Sequence, residues 1–129
     1  VDIIFQKSPP HTDIKYFTSI DDIEITQNNT LFYICDVIHH LPNAVWNHVK
    51  NKVFDKCDFV VIKDIDCRYK FKNFMNKMHD RVINGEKIYN VNPDELIKDL
   101  KMSGFTHTYI YNVHKLWYSH FVIIAQKYK

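Results

Sequence analysis

Residues 31–43 read LFYICDVIHHLPN and place a thiol, a carboxylate and two adjacent imidazoles at Cys35, Asp36, His39 and His40. These side-chain types support several chemistries. A neutral imidazole, with an ordinary pKa near 6.5, can take a proton from a reacting group. Cys35, Asp36 and the histidine pair also make a conceivable metal-ligand set. No CxxC or HxxxH spacing occurs anywhere in the chain, so zinc and other metals are not expected. The remaining readings are the lip of a ligand pocket and an ordinary strand-to-helix corner, in which one histidine is bonded to backbone.

The elements that must position these groups can be read from hydrophobic period and punctuation. Residues 1–5, 14–18 and 31–35 are short β-branched and aromatic runs, the last apolar on both faces as a buried parallel strand should be. Residues 7–13 form a loop with the Pro9-Pro10 break. Pro42 or Asn43 opens a helix with Ala44, Val45, Val49 and Val53 on one face. A further strand spans 58–62, and 69–83 has the helical spacing of Phe71, Phe74, Met75, Met78 and Val82, the first four expected as core or pocket lid. Asn92-Pro93-Asp94-Glu95 is a capped helix start, and that helix carries Leu96, Ile97 and Leu100 and stops at Gly104. Residues 106–113 and 120–126 then read as two strands with a turn near 115–119, an antiparallel hairpin. Trp117 and Tyr118 in that turn are either an exposed aromatic contact or part of a buried edge. The order β-β-β-α-β-α-α-β-β implies an α/β domain with a mostly parallel sheet and an antiparallel edge.

The totals set limits. A chain of 129 residues with 46% hydrophobic side chains suits one domain with a modest core. A net charge of +2 with interspersed acids gives no basic stripe, so nucleic acid is not an expected partner. Three cysteines, Cys35, Cys57 and Cys67, make no paired framework and fit a reducing compartment. No apolar run reaches membrane-spanning length and residues 1–11 do not read as a signal peptide, so a cytoplasmic protein without a membrane partner is expected. Only Gly85 and Gly104 occur, which excludes both GxGxxG and GxxxxGK[ST] phosphate-cradling loops.

The ordered series LFYICDVIHHLPN, DFVVIKDID, FMNKMHDRVINGE, NPDELIKDLKMSGF and HFVIIAQK resembles the second half of class I S-adenosylmethionine-dependent methyltransferases. The resemblance implies a Rossmann-like sheet closed by an antiparallel hairpin but incomplete at its N-terminal half, because the glycine-rich cofactor loop has no counterpart here. It implies a single, partial methyltransferase-like domain over 1–129, completed by an upstream segment or a second chain. S-adenosylmethionine is the implied cofactor and a small-molecule or glycan-like compound the implied methyl acceptor. A methyltransferase-like module that binds or regulates without catalysis is the alternative.

The same resemblance suggests roles by position. Val1-Asp2 is similar to the family's second strand, whose terminal acid holds the ribose hydroxyls, so Asp2 corresponds to that acid. Asp21 and Asp22 can accept from the adenine amino group, with Ile23 against the ring. Asp36 lies at the cofactor edge, and His39 or His40 would take a proton from the acceptor. Lys63, Asp66, Arg68 and Tyr69 follow the 58–62 strand and would meet the acceptor, although Lys63 and Asp64 are also expected to pair as a salt bridge holding that loop.

Overall fold

A computed structural model describes residues 19–25, 30–83, 85, 87–115 and 118–128. Runs rich in β-branched and aromatic residues form the strands β1 (Leu31–Cys35), β2 (Phe59–Ile65), β3 (His107–Lys115) and β4 (Tyr118–Gln126). The helices are α1 (Asn43–Val53), α2 (Lys70–Ile83) and α3 (Pro93–Met102), with short 3-10 turns at Ile20–Asp22 and Ile38–His40. The strands expected at 1–5 and 14–18, Asp2 and Trp117 lie outside the described residues.

The sheet order is β1-β2-β4-β3. β1 runs parallel to β2, with Leu31 opposite Phe59 and Cys35 opposite Lys63. β4 is antiparallel to both β2 and β3, so the sheet is mixed among the described residues. The hairpin that the sequence predicts is therefore present, inserted with its second strand inside the sheet. β2 continues to Ile65, past the expected end at 62, because Ile65 pairs with His120 and the alternation of Val60, Ile62 and Asp64 keeps one face inward. Lys63 and Asp64 consequently belong to the strand, not to a loop after it.

One face of the sheet is packed. Val60, Ile62, Phe121, Ile123 and Ala125 are buried against Trp46, Val49 and Val53 of α1 and Leu96 and Leu100 of α3. On α1 the predicted Val49 and Val53 are buried, but in the first turn Trp46 takes the inward place while Ala44 and Val45 face solvent. Phe54 sits at the centre of this layer, with its ring 6.4 Å from Phe32, 6.0 Å from Trp46 and 6.1 Å from Phe105, all edge-on. α3 begins as expected: the Asn92 side chain accepts from the Asp94 N–H, Pro93 needs no donor, and Asp94 and Glu95 face the positive helix end. It ends at Gly104, whose φ of +86° is the left-handed conformation that a Cβ would strain.

The other face is open. Leu31, Tyr33, Tyr109, Tyr111, Val113 and Ile124 are exposed, and the edge of β1 away from β2 has no partner strand among the described residues. α2 departs most from expectation, since Phe71, Phe74 and Met78 are exposed and not core, while Asn76 is fully buried. The helical period holds, but the buried side is the polar one.

Replacing Phe54 with Ala removes the ring on which three others converge and leaves a cavity between α1, α3 and the sheet. Urea unfolding should show a loss of about 3–5 kcal/mol; a loss below about 1 kcal/mol contradicts this account of the core.

Candidate functional site

The C-terminal ends of β1 and β2 and the start of β4 meet at one edge, where open α/β sheets hold their ligands. β1 stops at Asp36, whose φ of +54° is left-handed. Asp tolerates this conformation better than most residues, yet it still costs about 1–2 kcal/mol. The backbone N–H of Asp36 donates to the Lys63 carbonyl at 2.8 Å, the last rung of the parallel ladder. One carboxylate oxygen, Oδ2, accepts from Lys63 Nζ and from Cys35 Sγ. The other, Oδ1, is buried without a hydrogen-bond partner, and His120 Nε2 stands 3.9 Å away.

The charges of this cluster tune one another. Burial pushes the Asp36 carboxyl up, but the Lys63 ammonium and the Cys35 thiol donating to it outweigh burial and hold it below the usual carboxylate range. Burial pulls the Lys63 ammonium down, and its bond to Asp36 more than restores it. Burial and then the Lys63 charge lower His120, against the opposing pull of Asp36. Lys63 is thus committed to Asp36, and the expected Lys63–Asp64 pair does not form.

Asp64 has a different task. Its side chain is fully buried and points toward the packed face, where Oδ2 accepts from the Ile38 N–H at 2.8 Å and Oδ1 meets His39 Nδ1 at 2.5 Å. The His39 N–H is also within 3.4 Å of Oδ2. One carboxylate on β2 therefore fixes the whole turn that follows β1. His39 is buried, with Nδ1 directed at Asp64, and the His40 ring packs against it, tilted by 46° at 3.9 Å between ring centroids. With the proton on Nδ1, the lone pair of a neutral His39 ring lies on Nε2.

The remaining candidates fall into two further groups. Asp66 is fully buried and takes a forked contact from Arg68, with Nη2 at 2.7 Å and Nε at 3.0 Å. Arg68 also donates to Asp94 and Asn112, so its guanidinium ties β2, α3 and β3 together. The Tyr69 ring packs on His114 at 4.8 Å. Asp21 is separate again: it meets His48 at 2.9 Å and Lys52 at 3.3 Å on α1, and those two side chains lower its carboxyl pKa. Asp22 and Ile23 follow it, Asp22 exposed and Ile23 half-buried.

Sequence reasoning brought Asp36, Lys63 and the histidines to one edge but missed His120 and the bracing role of Asp64. An acid on the inward phase of an apolar strand was the available signal for Asp64. His120 needed the register with Ile65, which no local pattern supplies. Among the described residues, no three His, Cys, Asp or Glu side chains converge as a metal site.

The electrostatics of the cluster have a measurable sign. His120 is held below the ordinary imidazole value of about 6.5, so its neutral ring contributes stability above that value, and the contribution is lost as pH falls through the lowered folded value. Lys63→Met removes a cation that lowers His120 and leaves Asp36 to raise it, so the imidazole titration followed by NMR should move up. A midpoint that stays or falls would contradict the assignment.

No protein-family model matches the sequence, and no curated protein matches it. Among solved structures, the chain is similar to magnesium protoporphyrin IX methyltransferase from Synechocystis PCC 6803 with bound SAH. The TM-score is 0.59 at 12% identity, over 82% of this chain and 49% of that one. It is also similar to human N-acetylserotonin methyltransferase in complex with SAM, with a TM-score of 0.53 at 13% identity, over 81% of this chain and 32% of that one. The chain thus spans less than half the length of either enzyme. At such identities the likeness is one of fold, and the fold of this chain is that of the class I methyltransferases.

Proposed function

We propose that the protein acts as an S-adenosylmethionine-dependent methyltransferase on a small-molecule or glycan-like acceptor. The observation that carries this reading is Asp36: a carboxylate in a strained backbone conformation at the ligand-facing edge, with one buried oxygen that has no hydrogen-bond partner. Strain and an unsatisfied acceptor are costs that a bound donor offsets. The fold supports the reading, because both similar structures hold SAM or its demethylated product. The residues present fit such a cofactor, whose amine and ribose hydroxyls are donors of the kind Asp36 Oδ1 lacks.

In this reading Asp36 holds the cofactor, and Asp22 and Ile23 offer an exposed carboxylate and an apolar face to its adenine. Asp21 is engaged by α1 and keeps that turn in place. Asp2 is proposed for the ribose on the resemblance alone. The cofactor supplies an already activated methyl group, so the chain's main task is alignment of the acceptor. Buried His39, fixed by Asp64, orients the turn, and half-buried His40 is the imidazole placed to take a proton from the acceptor. Lys63 acts through Asp36. Asp66 and Arg68 act as the clamp that holds the acceptor side of the edge, with Tyr69 beside it. The open sheet face and the edge of β1 that has no partner strand among the described residues support the view that further polypeptide completes the layer, from the same protein or a second chain.

Isothermal titration of S-adenosylhomocysteine into the natural full-length protein tests this. Binding is expected, and Asp36→Ala should weaken it about 10- to 100-fold, the range for a lost charge-assisted bond. Absence of binding heat in the unsubstituted protein overturns the proposal.

A further inference from the structure

α2 is built inside out. Its inward side presents Asn76, fully buried with neither amide atom hydrogen-bonded, and Asn73, whose Nδ2 donates to Asn90 Oδ1 at 3.1 Å. Its outward side carries Phe71, Phe74, Met78 and Val82, at 74, 57, 48 and 77% exposure. The spacing i, i+3, i+7, i+11 puts these four on one continuous strip along the helix. Single exposed apolar residues need no explanation, but a strip of four along a helix marks a docking surface.

The charges beside the strip select the occupant. Lys70, Lys77 and Arg81, again at i, i+7 and i+11, follow one margin, and Lys72 stands on the other. Against these four cations the helix has the one acid Asp80. A second copy docking strip to strip would bring the cationic margins together and repel. Residues 1–18 carry Lys7 and Lys15 against Asp2 and Asp13, so they have no net charge to complement the margin. An apolar ridge bordered by cations is instead the pattern of a helix lying in the headgroup region of an anionic bilayer.

The position of α2 gives this pattern a direction. Tyr69, just before the helix, packs on His114, and His79 packs 6.1 Å from Tyr118, so α2 lies over the end of the β3–β4 hairpin. That is the end at which His120 pairs with Ile65 and the Asp36 cluster opens.

We propose that α2 docks the protein on an anionic lipid surface, with the ligand-facing edge of the sheet turned toward the bilayer. No described helix is long and apolar enough to cross a membrane, so the contact is peripheral. The inference is independent of methyl transfer and survives the loss of that reading.

Co-sedimentation of the natural full-length protein with phosphatidylglycerol-containing vesicles and with pure phosphatidylcholine vesicles provides the test. Binding is expected to the anionic vesicles and to weaken with salt. The exposed double substitution Phe71→Ser/Val82→Ser should lower affinity on the order of a hundredfold, and Lys70→Gln/Arg81→Gln about fivefold for each cation removed. Circular dichroism melting of both variants should match the parent. In Phe71→Trp, fluorescence should shift to the blue only when anionic vesicles are added. Equal binding to both vesicle types, or none, overturns the proposal. So does a dimer that Phe71→Ser/Val82→Ser dissociates, or Phe71→Trp emission that is already blue-shifted without lipid, which would show that protein covers the strip.

Discussion

The buried carboxylate of Asp64 organises the ligand-facing edge. It sits on an interior strand with no exposure, and it is satisfied by two backbone N–H groups and an imidazole from the turn after β1, together with the Ile65 N–H of its own strand. A buried charge without such partners would cost several kcal/mol, so the two elements specify each other. The Ile38–His40 turn has to pass over β2 at this point, and α1 must start where the turn releases it. The same strand turns Lys63 to the opposite face, where it holds Asp36. Two consecutive residues of β2 thus fix the two functional groupings that leave β1.

This arrangement separates rigidity from reactivity along a short stretch. His39 is committed to Asp64 and buried, and Asp36 is pulled into a left-handed conformation one residue past the strand. The Asp66–Arg68 fork performs a similar service farther along, joining β2 to α3 and β3 through Asp94 and Asn112. Forked guanidinium–carboxylate contacts fix orientation as well as distance. The edge is therefore supported from two sides by ion pairs that depend on β2.

Much of this was legible in the sequence. The β1 run, the capped start of α3, its Gly104 stop and the closing hairpin each had a local signal, because cap chemistry and strand alternation act over a few residues. The α1 stripe holds at Val49 and Val53 but not in the first turn, where Trp46 fills the space beside Phe54 and Val45 does not. α2 shows the deeper limit. Periodicity reports that a helix has two unlike faces but not which face the protein covers, and here Asn76 is inside while Phe71 is outside. The partners of Asp64 and the place of His120 come from pairing between distant segments, which has no local sequence signature.

The strand order has a consequence for how the chain acquires its structure during synthesis. β2 is interior, yet its second neighbour is β4, so the strand made at Phe59 waits for one that begins at Tyr118. Until then Val60 and Ile62 belong to a parallel pair with an unsatisfied flank, and such non-local closure is slow. A ribosome-bound intermediate ending anywhere between the two strands presents an apolar edge to its surroundings. The nascent chain therefore carries that open flank over the whole interval, until Phe121 comes to lie opposite Asp64.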